Sequence, residues 1–315
     1  MKNKVKQLTS EISKHIIGHS EMIDALLIGL LSNGHLLIEG VPGLAKTTAV
    51  NALAKAIGLD FKRVQFTADL LPSDILGAEV YHPKTEEFVL KKGAIFTNLL
   101  LADEINRASA KVQSALLEVM QEKQVTIGEH SFKVDEPFLV LATQNPIDQE
   151  GTYALPEAQL DRFMMKIVVG YNTEAEEFEI AKKAANHSFE PINKVITEDD
   201  LKQMQQEVQD MYIDDALTAH IVKLVFATRE PTKYGLPSLA EQIEYGASPR
   251  ATIDMIKAVK ASAYLRGKES VSPIDIALCA KNVLRHRIVL TYDAQAEDIS
   301  PDDIIDTLMQ SIESV

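Results

Sequence analysis

Apolar residues in the first half of the chain fall into short runs separated by stretches of helical period. His35-Leu36-Leu37-Ile38-Glu39 is such a run, closed by a glycine, and reads as a short buried strand; residues 61–66, 98–102, 138–143 and 163–169 read similarly. Between the runs the spacing changes. In residues 109–120, Val112, Ala115, Leu116 and Val119 stand at i, i+3, i+4 and i+7 and form one apolar stripe. Strands alternating with helices predict a parallel sheet covered by helices, an α/β fold.

Two stretches interrupt the alternation. Residues 79–90 place Tyr81 and Phe88 around His82-Pro83-Lys84, and residues 124–134 set Val125, Ile127, Phe132 and Val134 about Gly128-Glu129-His130. Both predict inserted β-hairpins lying outside the core. After Tyr171 the strand signal fades. Thr197-Glu198-Asp199-Asp200, Ser272-Pro273-Ile274-Asp275 and Ser300-Pro301-Asp302-Asp303 each place a hydroxyl three residues before an acid, two of them with proline at the first helical position. Ile276, Ala280, Val283 and Leu284 give one of these helices an inward stripe. A second, smaller all-helical domain is expected. Pro191 and Asn193 put the boundary within residues 186–194, dividing the chain into 1–190 and 191–315.

Length agrees: 315 residues make two domains at about 150 each. With 46% hydrophobic and 25% charged residues, the composition excludes intrinsic disorder and collagen. The single cysteine, Cys279, excludes an internal disulfide, fits a reducing compartment, and lies in an apolar helical pattern that suits a core thiol. The 32 basic and 46 acidic residues sum to −14, which argues against a surface that coats nucleic acid. The longest apolar stretch, residues 22–38, is broken by Asp24, Ser32, Asn33 and His35, short of the roughly 18 residues a membrane span needs. Met1-Lys2-Asn3-Lys4-Val5-Lys6 leads into no apolar segment of a signal peptide. The expectation is a cytoplasmic protein without a membrane span.

The candidate chemistry sits where strands end. Gly40-Val41-Pro42-Gly43-Leu44-Ala45-Lys46-Thr47 follows the first buried strand and matches G-x-x-x-x-G-K-[ST] except at Ala45. Successive backbone N–H groups and a helix N-terminus there would cradle a phosphate, with Lys46 reaching the β/γ oxygens and Thr47 ligating Mg²⁺. Ala45 adds only a methyl group, which a helical φ tolerates. Asn98-Leu99-Leu100-Leu101-Ala102-Asp103-Glu104 is an apolar strand ending in two acids, placed on an adjacent strand: Asp103 for the metal shell and Glu104 to orient a water toward the γ-phosphate. Phe138-Leu139-Val140-Leu141-Ala142-Thr143-Gln144-Asn145 ends in an amide suited to hold that water from the other side, or to make an Asx-turn before Pro146. Arg162 stands at the start of the last core strand. Arg250 follows Ser248-Pro249, an N-cap and first helical residue, so its charge opposes the helix dipole, a local violation of the kind found at functional sites.

With these motifs the chain resembles the AAA+ ATPases and, within them, the MoxR branch. The resemblance rests on Ile16-Ile17-Gly18-His19, residues 40–47, Asp103-Glu104-Ile105-Asn106-Arg107, Ala142-Thr143-Gln144-Asn145-Pro146, Glu157-Ala158-Gln159-Leu160-Asp161-Arg162-Phe163 and Gly246-Ala247-Ser248-Pro249-Arg250, in family order over nearly the whole chain. It implies a P-loop NTPase core of AAA+ type, a helical lid, and a homo-oligomeric ring, commonly a hexamer. It implies ATP and Mg²⁺ as cofactors, held by Ile17, Gly18, Gly40, Pro42, Gly43, Leu44, Ala45, Lys46, Thr47, Thr48 and Arg250, with Thr47 and Asp103 at the metal. By that likeness Asn145 is sensor 1, Arg250 sensor 2, and Arg162 an arginine finger for the neighbouring subunit, joining Glu104 and Lys46 in catalysis. The hairpins look like the helix-2 insert and pre-sensor-1 hairpin of this clade. Relatives act as chaperone-like motors on partner proteins, often ones with von Willebrand factor A domains.

Two alternatives share the scaffold. A nucleic-acid-dependent motor would use Lys84, Lys91, Lys92 and Lys133 around the hairpins, against which stand Glu79, Glu86, Glu87 and Glu129 in the same segments. The ATPase subunit of a metal chelatase is the neighbouring clade by resemblance. A non-hydrolysing scaffold is disfavoured because each catalytic position holds a competent residue. Arg285-His286-Arg287 reads as a nucleotide- or neighbour-facing patch or as a solvated face, and Arg107 as a partner of a neighbouring subunit or of a core acid.

Overall fold

Five strands form the central sheet: β1 (Leu36–Gly40), β2 (Phe61–Gln65), β3 (Leu99–Asp103), β4 (Leu139–Gln144) and β5 (Met165–Val169). All pair in parallel, in the order β2-β3-β4-β1-β5. The computed structural model describes residues 1–41, 43–146, 151–186 and 190–312. Side chains alternate across a strand, so each apolar run feeds two cores. Leu36, Ile38, Leu99, Leu101, Leu139, Leu141, Met165 and Ile167 join one apolar cluster, while Leu37, Leu100, Ala102, Val140 and Ala142 join another. Helices Lys2–Ser13, Ser20–Ser32 and Lys46–Ile57 cover the first face, and helix Ala110–Glu122 the second.

The strand expected from Phe163 starts two residues later, at Met165. The backbone is still turning there, with Arg162 N bonded to Gln159 O and Phe163 N to Leu160 O. A second difference concerns neighbours. The strands bearing the glycine turn and the acid pair are not adjacent, because β4 lies between β1 and β3. The site is therefore spread over three strand ends, with Thr143 and Gln144 at the end of the middle strand.

Both hairpins are present as antiparallel ribbons. Gly77–His82 pairs with Glu87–Lys92, and Gln124–Ile127 with His130–Lys133. The first leaves Val80, Tyr81, Phe88 and Val89 exposed, whereas the second buries Val125 and Ile127 in the second core.

The C-terminal part is helical apart from a short ribbon, Ile243–Tyr245 against Val289–Leu290. Thr197 and Ser300 cap their helices by accepting from Asp200 N and Asp303 N, and Ser272 forms a capping box with Asp275. Helices Glu198–Gln209, Asp215–Ala227, Pro249–Leu265, Pro273–Leu284 and Pro301–Ser311 pack their apolar faces into the first cluster, so one continuous core runs from the sheet into the helical part. No helix among the described residues is long and apolar enough to cross a membrane.

His35 locks the entry of β1. Its Nδ1 accepts from Val140 N at 3.0 Å and its Nε2 donates to Met120 O at 3.1 Å, so the ring is held neutral. Burial pushes its pKa down to about 4, with the Met120 carbonyl opposing and Lys123 adding to the shift. The unfolded chain then binds a proton between about 6.5 and 4 that the folded chain refuses. Stability from this group is complete above pH 6.5 and falls as pH drops through that window, by roughly 3 kcal/mol at most. Urea unfolding between pH 7 and pH 4.5 should show this decline, and His35→Gln should be less stable at pH 7 but decline less steeply.

Candidate nucleotide site

The glycine turn begins where β1 needs a residue without a side chain. A Cβ on Gly40 would lie 2.7 Å from Val169 O of β5. The chain then turns through Gly43, at φ +91° with open space around it, and Ala45, at φ +53°, into helix Lys46–Ile57. Ala45 corrects one expectation: it is not in a right-handed helical conformation but in the left-handed one, which costs an L residue about 1–2 kcal/mol. The first N–H groups of the helix have no intrahelical acceptor and face the concave side of the turn. Lys46 Nζ donates to Gly40 O at 2.6 Å. Burial lowers the Lys46 pKa, against the pull of Asp103, Glu104 and Glu39. Pro42 lies outside the described residues.

Opposite the turn, one hydroxyl organises both acids. Thr143 Oγ1 donates to Asp103 Oδ1 at 2.6 Å and accepts from Glu104 N at 2.8 Å. Glu104 itself sits at φ +56°, a strained conformation for a residue with a side chain. Its Oε2 accepts from Gln65 Nε2 at 2.8 Å and from Arg107 Nε at 3.0 Å. Arg107 thus pairs with an acid of its own chain. The other Asp103 oxygen takes Arg63 Nε at 3.0 Å.

These residues enclose a cavity of about 330 Å³. Gly40, Gly43, Leu44, Ala45, Lys46, Thr47 and Thr48 form one side, and Arg63, Gln65, Asp103, Glu104, Thr143 and Asn145 the other. Arg63, Gln65 and Thr143 are additions to the candidates read from sequence. For Arg63 and Gln65 the signal lay in β2, where they are exposed polar residues two apart, and Gln65 stands in register with Asp103. A larger groove of about 780 Å³ between helices Lys2–Ser13, Ser20–Ser32 and Pro273–Leu284 contains none of these groups.

Four candidates lie outside the cavity lining: Ile17, Gly18, Arg162 and Arg250. Gly18 has φ +73°, and a Cβ there would collide with Asn172 and Glu176. Asn172 Nδ2 also donates to Ile17 O at 3.0 Å, so this turn is held by the segment leaving β5, at the same end of the sheet as Gly40. Arg162 is half-buried in the turn before β5, and no described residue pairs with its side chain. Arg250 reaches Asp161 Oδ2 at 3.4 Å, beside Ser248 Oγ, which lies 2.9 and 2.8 Å from the two Asp161 oxygens. Both arginines therefore flank Asp161. Arg285-His286-Arg287 is not a solvated face: Arg285 pairs with Asp302, and His286 and Arg287 are buried against residues 161–164.

A glycine turn leading from a parallel strand into a helix, facing an acid pair two strands away, defines a P-loop nucleotide-binding core. Comparison with known proteins agrees. Residues 35–165 match the family "ATPase family associated with various cellular activities (AAA)", and residues 239–308 match the AAA lid domain. The chain is 46% identical over 302 residues to Chaperone MoxR1 of Mycobacterium tuberculosis, covering 96% of this chain and 80% of that one. It is 33% identical over 307 residues to Protein MoxR of Paracoccus denitrificans, covering 91% and 89%. A solved structure of a candidate ATPase from Cytophaga hutchinsonii superposes with a TM-score of 0.94 at 49% identity, covering 100% of this chain and 96% of that one. The chain belongs to the MoxR family of AAA+ ATPases.

The Ala45 backbone gives a direct test. Ala45→Gly removes the left-handed penalty while adding flexibility to the unfolded chain, so the net effect should be a gain of about 0.5–1 kcal/mol. Urea unfolding of the two proteins measures it; a loss of stability would contradict the φ of +53°.

Proposed function

We propose that this protein is an ATP-hydrolysing motor of MoxR type that works as a ring and remodels or activates a partner protein. The observation that carries the reading is the convergence of Lys46, Thr47, Asp103, Glu104 and Asn145 on one cavity. The turn at residues 43–47 supplies N–H donors for phosphate oxygens, and Lys46 exchanges the Gly40 carbonyl for them. Thr47 and Asp103 offer a hydroxyl and a carboxylate, an oxygen-only pair that suits a hard cation retaining several waters. Mg²⁺ held there would neutralise charge on the phosphate oxygens. Glu104 orients the attacking water once its carboxylate is released from Gln65 and Arg107, and Asn145 holds that water from the opposite side. Ile17 and Gly18, tied to Asn172 at the same sheet end, suit the adenine side.

Arg162 and Arg250 flank Asp161 and line no part of their own chain's cavity. That placement supports presenting both to a neighbouring subunit, so a complete site forms only at a subunit boundary. A homo-oligomer follows, with a hexamer as the family precedent. The word chaperone in the name of the Mycobacterium tuberculosis relative supports a protein client, for which a von Willebrand factor A-domain protein is our candidate. The exposed Val80, Tyr81, Phe88 and Val89 of the first hairpin offer an apolar contact surface for it.

Arg162→Ala should bind ATP with unchanged heat in calorimetry yet lose turnover by about 10³-fold or more, the scale of a trans arginine in other nucleotidases. Mixing it with Glu104→Gln should restore part of the phosphate release, because hybrid interfaces join an intact pocket to an intact arginine. Wild-type turnover in Arg162→Ala removes the finger; absence of any heat on titrating ATP removes the nucleotide site.

A further inference from the structure

The side chain of Arg287 is only 1% exposed, at the join between the helical part and the sheet. Its Nε donates to Asp161 Oδ1 at 2.9 Å. One terminal nitrogen donates to Asp161 O at 3.2 Å, Phe163 O at 2.9 Å and Asp254 Oδ2 at 2.6 Å. The other reaches Val283 O at 3.0 Å and Met164 O at 3.4 Å. A guanidinium has five N–H donors, and these contacts engage the whole fork. Two of the accepting carbonyls belong to the residues on either side of Arg162. His286 Nε2 adds a second donor to Phe163 O at 2.9 Å.

A buried cation between two carboxylates is weak as a stability device, since well-packed apolar groups often serve as well. It is strong as a fixture, because a planar fork fixes its acceptors in both distance and direction. Here the fixture clamps the backbone that carries an arginine whose own side chain has no described partner. We propose that Arg287 is a positioning residue for Arg162: it sets the backbone from which Arg162 reaches the neighbour's site, and it links that arginine to the helical part of its own subunit. The inference rests on the reading of Arg162 as a trans finger. Its consequence is that a change at Arg287 is felt in the neighbour's pocket and not in its own.

The test compares wild type, Arg162→Ala, Arg287→Lys and the double variant as assembled protein, with thermal unfolding run on each. Lysine keeps the charge but loses the fork. Arg287→Lys should lower kcat by about 10²-fold, the cost of a small misplacement of a reacting group, with KM and ATP affinity near wild type. The double variant should be no slower than Arg162→Ala alone, because both changes act through one group. Mixing Arg287→Lys with Glu104→Gln subunits should recover turnover, since the latter bring a well-placed Arg162 to intact pockets. Losses that multiply, a parallel fall in ATP affinity, or no recovery on mixing would overturn the proposal. If Arg162→Ala keeps wild-type turnover, the finger reading has failed and this inference falls with it. If Arg287→Lys does not fold, Asp254→Ala, which removes one anchor of the guanidinium, decides the same comparison, and wild-type turnover there overturns the proposal.

Discussion

The site depends on the parallel register of the sheet. Because β1, β3 and β4 run in the same direction, their C-terminal ends emerge at one edge, and three sequence-distant segments meet there without any loop having to find its partner. Leu101 pairs with Leu141 and Ala102 with Ala142, which carries Asp103 and Thr143 to the edge together. The Thr143 hydroxyl then performs two tasks a neighbouring apolar residue could not: it donates to Asp103 and accepts from Glu104 N. A slip of one residue would turn every apolar side chain of the strand to the other core and separate that pair. The core packing and the site geometry are thus enforced by the same alternation.

Of the seven described non-glycine residues with positive φ, Ala45 and Glu104 lie at this edge. Asn33 and Lys123 also have positive φ, but each ends a helix, where a left-handed residue satisfies the last carbonyls. Ala45 and Glu104 instead sit at strand-to-helix turns with their neighbours lining the cavity. Left-handed geometry there aims consecutive N–H groups and a carboxylate into one concave space, so about 1–2 kcal/mol per residue is retained in the folded state at both turns. The rigid sheet beneath them holds that strain in place.

Most of the sheet was legible because buried parallel strands leave apolar runs and their helices leave a different period. The glycine turn and the acid pair were legible because each ends such a run. The middle position of β4 was not, since strand order is set by crossover packing and leaves no mark within a single run. The left-handed Ala45 escaped for a related reason: sequence offers no sign that an alanine must take the conformation of the glycine it replaces. Arg63 and Gln65 fell within residues 61–66, read only as a short buried strand, until register set Gln65 beside Asp103. Arg285-His286-Arg287 looked like one charged patch, yet it divides into an Asp302 partner and two buried groups, because Arg287 follows the end of a helix that closes onto the sheet.

The two ends of the sheet treat their charges differently. At the cavity, the lysine and the two acids are each paired with a group they can exchange: Lys46 with a carbonyl, Glu104 with Gln65 and Arg107, and Asp103 with Arg63 and Thr143. None of these pairings is deeply buried on both sides, so each can be replaced by a ligand without stranding a charge in the core. At residues 161–164 the pairing is of the opposite kind. Arg287 is enclosed and saturated by Asp161, Asp254 and backbone carbonyls, and releasing it would leave an uncompensated buried cation. Exchangeable charges at one end and a fixed charge at the other are what the proposed shared site would require: a pocket that changes partners with its substrate, and a rigid mount for Arg162, the arginine proposed to reach the next pocket.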